Sequence, residues 1–372
     1  MLVHPVIAES YATALGDVVS GQSAGIDLSA AVFTGPELVQ RFGAVSDGRS
    51  GRGRDHPVAV VLALCAAAVL AGMGSFTAIA GWVADVPAEL LAQLYGGPAG
   101  CPSKTTLWRV LTGADGAAVD AAVGAWLTAQ AATGQSTGEH HTDAGEPEEP
   151  GLFAIAVDGK TVRGAVDSDG AQVHLLAAAT HTDSLVLGQV QVATKSNEIP
   201  QLAPLLQNLA AAGVDLGEVV ITADALHTQR GHAEYLHSVG AEFVLTAKLN
   251  QPRLYAALDT LPWAGTPIAD RHVDTGHGRI TTRTIQVLPA PTDLPFPHVN
   301  QAWLIERYVH DTTGKPLSAV AALGVTSLTT TRASPTDIAT LVREHWSIES
   351  LHRLRDTVYR EDNSTVRTRL TS

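Results

Sequence analysis

Asp158 ends the apolar run FAIAVD and is followed by Gly159, Lys160 and Arg163; Asp224 ends VVITAD in the same manner. Short runs of branched and small apolar residues read as buried strands, and ligand sites in sheets of this kind lie beyond the strand ends. Near the end of the chain, HWSIESLHRLRDTVYRED (345–362) sets Glu349 on one helical face with His345, His352, Arg353 and Asp356, since side chains three, four or seven positions apart are neighbours on a helix. Two aspartates delivered to one sheet edge and a glutamate from a packed helix make an all-oxygen site, the kind that Mg²⁺ or Mn²⁺ takes. Two such ions stabilise both the attacking and the leaving oxygen of an in-line phosphoryl displacement. Plainer readings stand beside this one. Asp-Gly is also a turn dipeptide, and a charged helix face is most often a solvated, ion-paired one.

The rest of the chain bounds what these residues can do. At 372 residues, with 45% hydrophobic residues, it is long enough for two domains or for one large domain with insertions. Lys+Arg 24 against Asp+Glu 37 gives a net charge of -13, which excludes a surface that is basic throughout but leaves room for a local basic groove. Cys65 and Cys101 are the two cysteines, too few for a disulfide framework or a CxxC metal site. The start, MLVHPVIAESYATALG, lacks a basic leader followed by an apolar run, and a cytoplasmic location is expected. PVAVVLALCAAAVLAG (57–72) is apolar, yet it breaks at GMGS before the length a membrane span needs, so a buried helix is expected there.

The elements that must position the carboxylates follow from the pattern. Residues 1–52 are expected to be loosely ordered and 53–130 to form a helical unit. Within that unit CPSKTTLWRVL starts a helix capped by Ser103, whose Lys104, Thr105, Trp108 and Arg109 are candidates for reading DNA, or else one face of an ordinary amphipathic helix. Residues 131–150, AATGQSTGEHHTDAGEPEEP, read as an acidic linker. Then follow a strand at 153–162, a hairpin at 173–192 turning at His181–Ser184, a helix at 198–213, a strand at 218–226, a helix at 228–240 and a strand at 241–249. That order predicts an α/β fold, a mixed sheet covered by helices, as in ribonuclease H-like domains. Residues 265–330 are β-rich and read as an insertion between 151–264 and 331–372, the two parts of one core. EYLH and ESLH both fit the Glu-x-x-His pattern of di-iron bundles, but the β-rich middle denies the four long helices such a bundle requires.

Six motifs in order carry a family resemblance: DGKTVRGA (158–165), KSNEIPQLAPLL (195–206), ITADALHTQ (221–229), FVLTAKLNQ (243–251), HGRITTR (277–283) and HWSIESLHRLRDTVYRED. The chain resembles the DDE-type insertion-sequence transposases related to the H-repeat-associated proteins, over roughly residues 55 to 367. The resemblance implies a ribonuclease H-like core with a β-rich insertion before the last helix. It implies that Asp158, Asp224 and Glu349 hold two Mg²⁺ or Mn²⁺ ions, and that the chain cuts and joins DNA at insertion-sequence ends. Its partners would be double-stranded DNA, as terminal inverted repeats and as target, and a second copy in a homodimer, with no membrane and with the chain on the nucleoid. Lys160, Arg163, Arg343, Arg353 and Arg355 are expected at phosphates, with Lys104, Arg109, Arg279 and Arg283 as further DNA contacts and His345 and His352 supporting the carboxylates. In the wider superfamily Tyr, Arg and Lys flank the final Glu, where this chain has Val342, His345 and Asp356. The relatives continue past the motif EDxSxVR while this sequence ends at VRTRLTS, so a truncated or repurposed DNA binder that does not cut is the second expectation.

Overall fold

The computed structural model describes residues 35–49, 54–136, 152–166, 170–193, 196–276 and 278–363. Helix α1 (Gly35–Phe42), α2 (Val58–Leu70), α3 (Phe76–Ala84), α4 (Ala88–Tyr95), α5 (Lys104–Gly113) and α6 (Gly116–Ser136) form the first unit. Local chemistry sets their starts: the Ser75 and Ser103 hydroxyls accept hydrogen bonds from the Ala78 and Thr106 amides. The expectation of a loose segment over 1–52 is corrected for its described part, because α1 buries Leu38 and Phe42 against the bundle. Residues 1–34 lie outside the described residues. Helix α2 has 13 residues, most of them buried, and among the described residues no helix is long and apolar enough to cross a membrane.

The second unit is one sheet with strand order β3-β2-β1-β4-β5-β9-β8-β7-β6. Its first half comprises β1 (Phe153–Val166), β2 (Gln172–Thr180), β3 (Val186–Val192), β4 (Val219–Ala223) and β5 (Glu242–Ala247). β1 and β2, and β2 and β3, pair antiparallel; β4 runs parallel to β1, and β5 parallel to β4. Helices α7 (Leu202–Ala211) and α8 (Arg230–Ser238) connect these strands, and α9 (Pro252–Asp259) follows β5. A five-stranded mixed sheet in the order 3-2-1-4-5 with helices on its faces is the ribonuclease H-like arrangement expected from the sequence.

The β-rich residues do not fold apart from this sheet. Strands β6 (Asp270–Gly276), β7 (Arg279–Pro289), β8 (Gln301–Asp311) and β9 (Pro316–Thr326) continue it, with the end of β9 hydrogen-bonded antiparallel to β5 from Val244↔Thr326 to Ala247↔Leu323. The insertion expected over 265–330 is thus built into the sheet, and β9 completes the free edge that β5 would otherwise expose. Helices α10 (Pro335–Glu344) and α11 (Ser347–Thr357) then return to the sheet, and Ser334 and Asp337 form a capping box at the start of α10.

Both units share one core. Val123 and Leu127 of α6 are fully buried in the same apolar cluster as Val186 and Leu187 of β3 and Leu205 and Leu209 of α7. Gly124 permits the approach, because a β-carbon there would strike the Leu187 carbonyl.

Candidate active site

The site sits where β1 loses one of its neighbours. β1 is paired to β4 from Phe153↔Val219 to Val157↔Ala223, and the next residues in register are Asp158 and Asp224. Past this row β4 has ended, and Asp224 caps a short 3₁₀ turn (Ala225–His227), its Oδ1 accepting from the Leu226 amide at 2.9 Å. β1 itself does not end with its apolar run at Asp158 and runs beyond the 162 expected from the sequence. It continues to Val166 paired only to β2, and its burial changes from continuous over 154–157 to alternating beyond 160, as expected for a strand that leaves a two-sided core. The Asp158–Gly159 pair is therefore strand and not turn.

Alternation assigns the faces. Asp158 and Lys160 share one with Thr222 and Asp224, and α10 and α11 cover it. His352 of α11 brings its Nδ1 to 3.4 Å from Asp158 Oδ2, and the Lys160 ammonium forms a salt bridge with Asp356 one helical turn further on. Glu349 lies in the first turn of α11, exposed, with its charge close enough to act on Asp158. The Asp158 carboxyl is pushed up to about 6, first by burial and then by the negative charges of Glu198, Asp224 and Glu349, against a backbone hydrogen bond from Gly159 that lowers it. Asp158 thus feels the negative charge of three other carboxylates.

Beneath them runs a buried polar chain. The Thr222 hydroxyl meets His181 Nε2 at 2.8 Å and His345 Nδ1 at 3.0 Å, which fastens the α10–α11 junction to β4. Burial holds both imidazoles far below the usual histidine value, to about 4, and the nearby charge of Asp224 raises that of His345 only in part. His352 is driven lower, to about 3, by burial and then by the charges of Arg355 and Lys160. All three are neutral at pH 7.

The opposite face of β1 carries residues that the sequence reading missed. Glu198, just before α7, accepts from His174 Nε2 at 2.7 Å and from His227 Nε2 at 3.1 Å, and its carboxylate lies against Gly159. Burial raises the Glu198 carboxyl, but the hydrogen bonds from His227 and His174 outweigh it and hold the group below its ordinary value. The motif KSNEIPQ was noticed for its order in the chain and not for this glutamate.

The sequence-predicted residues are placed as follows. Asp158, Asp224 and Glu349 come together at one edge, with His345 and His352 packed beside them. Lys160 was expected at a phosphate, and this is corrected: it is 5% exposed and engaged by Asp356, since alternation turns it under α11 beside Asp158. Arg355 is likewise buried, its Nε 2.9 Å from Glu361. Arg163 and Arg353 are exposed, and Asp362 accepts from the Arg163 amide at 3.0 Å. Lys104 and Arg109 lie exposed on α5, away from the carboxylates, with Trp108 between them and the Lys104 ammonium donating to Thr77 at 2.6 Å. Arg279 and Arg283 line a shallow groove on the β-rich half with Arg307 and Ser318.

Donor chemistry suits a hard divalent cation, since Asp158, Asp224 and Glu349 offer oxygen ligands only, and the Asp158 carboxyl is raised by burial and by the negative charges beside it. Their spacing is wider than a ligand shell: among the described residues no group of three or more histidine, cysteine or acidic side chains is already arranged to hold an ion.

The comparisons with known proteins bear on the whole chain. Residues 151–371 match the family model described as Transposase DDE domain, and residues 39–127 match the one described as DDE_Tnp_1-associated. An uncharacterized protein of the dhlA 3′ region of Xanthobacter autotrophicus is 32% identical over 247 residues, 62% of this chain and 73% of that protein. The putative transposase YncI of Escherichia coli O157:H7 is 28% identical over 346 residues, 89% of this chain and 82% of that protein. The H repeat-associated putative transposase YhhI of Escherichia coli K12 is 28% identical over 229 residues, 57% of this chain and 58% of that protein. A piggyBac transposase synaptic complex with hairpin DNA aligns at a TM-score of 0.31 and 10% identity over 59% of this chain and 42% of that one, too slight a likeness to speak for the fold. With a matched domain that spans the sheet, both aspartates and the glutamate-bearing helix, the chain belongs to the DDE transposase family, beside the H-repeat-associated transposases.

Proposed function

We propose that the chain cleaves and joins DNA at the ends of an insertion sequence, using a divalent metal. The observation that carries this reading is the placement of Asp158 and Asp224 at the carboxyl edge of the parallel strands with Glu349 on the helix beside them, where burial first and neighbouring negative charge second lift the Asp158 carboxyl to about 6. Such a site is primed for cations. Asp158, Asp224 and Glu349 would hold Mg²⁺ or Mn²⁺, two ions in all. When bound, the ions supply Lewis-acid stabilisation of the charge that builds on phosphate oxygens.

The chain's own residues do the rest. Asp158 and Asp224 stand in one register row, so their carboxylates are presented side by side. Neutral His352 lies against Asp158 without competing as a cation, and the Lys160–Asp356 salt bridge anchors α11, with Glu349, over β1. The register also carries two β hairpins past this edge: β1–β2 beyond Asp158, and the arm of β6 to β9 beyond the Ala247↔Leu323 pair. Arg163 and Arg353 on one side and Arg279, Arg283 and Arg307 on the other suit the phosphates of a duplex held between them. Lys104 and Arg109 on α5 suit recognition of terminal inverted repeats. A homodimer working on the nucleoid in the cytoplasm, one copy at each element end, completes the reading.

The test is Mn²⁺-dependent nicking of a duplex carrying the inverted repeats that flank the gene. Asp224→Ala should lower nicking at least about 10³-fold, a loss of roughly 4 kcal/mol of transition-state stabilisation, while repeat binding persists. A wild-type chain that binds the repeats but nicks with neither Mg²⁺ nor Mn²⁺ rules the reading out. That outcome would support a second one, a DNA-binding derivative that does not cut. The exposure of Glu349 is the observation favouring it.

A further inference from the structure

We propose that Glu198 is a positioning residue for the aspartate pair, a carboxylate that clamps the turn carrying Asp224 to the strand carrying Asp158 from the back of the sheet. The inference rests on the metal-dependent reading above for what the pair does, and on geometry for how the pair is held.

Three elements meet at this one side chain. His174 comes from β2, the hairpin partner of β1, and sits opposite Thr161 in register. His227 closes the 3₁₀ turn that Asp224 caps, and its amide donates to the Asp224 carbonyl at 3.1 Å. Gly159, the residue after Asp158, supplies the third side by having no side chain, because a β-carbon there would collide with the Glu198 carboxylate. The two Nε2–H groups donate to the two carboxylate oxygens, since an ionised carboxylate only accepts. The tautomers are thereby fixed: His174 Nδ1 accepts from the Thr161 hydroxyl at 2.8 Å, and His227 Nδ1, buried, finds no partner among the described residues. His232 sits between the same turn and the segment of Glu198, with Nδ1 2.9 Å from the His227 carbonyl and Nε2 2.9 Å from the Ile199 carbonyl, and as a neutral imidazole it donates to one of the two.

Asp224 thus stands on a turn whose last residue is fastened, through Glu198, to β2 and to the backbone behind Asp158. Charge-assisted hydrogen bonds of this kind are stronger than neutral ones, and outer groups that orient ligands tune an ion's affinity without touching it. Glu198 is 15% exposed, lies on the far face from α11, and needs no contact with DNA to act.

Mn²⁺ binding by the full chain, read by electron paramagnetic resonance, tests the clamp separately from catalysis. Glu198→Ala should weaken Mn²⁺ binding about 10- to 100-fold, Glu198→Gln should fall between it and wild type, and affinity for inverted-repeat DNA should change less than about twofold. Gly159→Ala retains the carboxylate but displaces it, and should weaken Mn²⁺ binding as Glu198→Ala does. A Mn²⁺ affinity within about twofold of wild type for both Glu198→Ala and Gly159→Ala overturns the clamp, whether or not the wild-type chain nicks DNA. Should wild type bind Mn²⁺ without nicking, and the two variants bind it weakly, the clamp stands while the cutting function falls. A wild-type chain that takes up no Mn²⁺ overturns both.

Discussion

Two β hairpins run past the same sheet edge, and they are built on opposite terms. The β1–β2 extension has its own small apolar cluster, Val162, Ala165, Val173 and Leu175, all buried. The C-terminal segment packs onto it: Lys160 pairs with Asp356, the Arg163 amide with Asp362, and Arg355 with Glu361. The β6–β9 arm is bare by comparison. β6 is exposed along nearly its whole length, β9 is exposed over its first six residues, and Val273, Leu317 and Val320 are half open to solvent or more. The hairpin that carries Asp158 is held by burial and by ion pairs, which fixes the position of that carboxylate. An arm with arginines on an open strand face gains nothing from burial by its own chain. Its surface suits a large anionic partner.

The largest expected effect tests the latch formed by the buried Arg355–Glu361 pair. Arg355 is 2% exposed and Glu361 7% exposed, so Arg355→Ala strands a buried carboxylate and should lower stability by about 3–5 kcal/mol, measured by urea unfolding. Were the latch peripheral, the loss would stay below about 1 kcal/mol, the range of surface pairs.

Acidification should loosen the same side of the molecule. His181, His345 and His352 are held at about 4, 4 and 3, below the ordinary histidine value of about 6.5, so the unfolded chain binds more protons between these limits. Their contribution to stability is therefore complete above about pH 6.5 and falls as the pH drops toward 4, at up to about 1.4 kcal/mol per unit for each histidine. Asp158 works the other way, since its value is raised to about 6 and its protonation relieves repulsion as the pH falls below 6. Three groups against one leave a net loss, expected as a lower melting temperature at pH 5 than at pH 7. A melting temperature that is flat over this range would contradict the buried histidine network.

The smallest stability effect belongs to the arm. Replacing Arg279, Arg283 and Arg307 together by alanine should alter unfolding free energy by no more than about 0.5 kcal/mol per site. The same triple change should flatten the dependence of log K on log salt for duplex binding by about 0.9 per arginine, near 3 in all. An unchanged salt slope would separate the arm from DNA and leave its exposure to be explained by another partner.

Sequence pattern showed the parts of this architecture that depend on local periodicity. The hairpin turn near His181–Ser184, the strand ending at Asp224 and the Ser103 cap all lie where residue type and spacing placed them. What escaped is what distance in sequence conceals. Glu198 meets histidines 24 residues before it and 29 after it, and no local spacing reveals such a pair. Lys160 was read as a surface cation because its charge is visible in sequence while the covering helix, 196 residues away, is not. The strand was read through Asp158 to 162, and its last residues to Val166 escaped for a related reason, since pairing with β2 holds them extended.

One glycine on α6 sets a fixed distance. Because Gly124 lets that helix rest on the Leu187 carbonyl of β3, the helical bundle and the sheet share one continuous core. Whatever the bundle grips is held at a constant offset from Asp158, as by a ruler and not by a tether. A bulkier residue at 124 would change that offset, and the position of any cut with it, before it changed the chemistry.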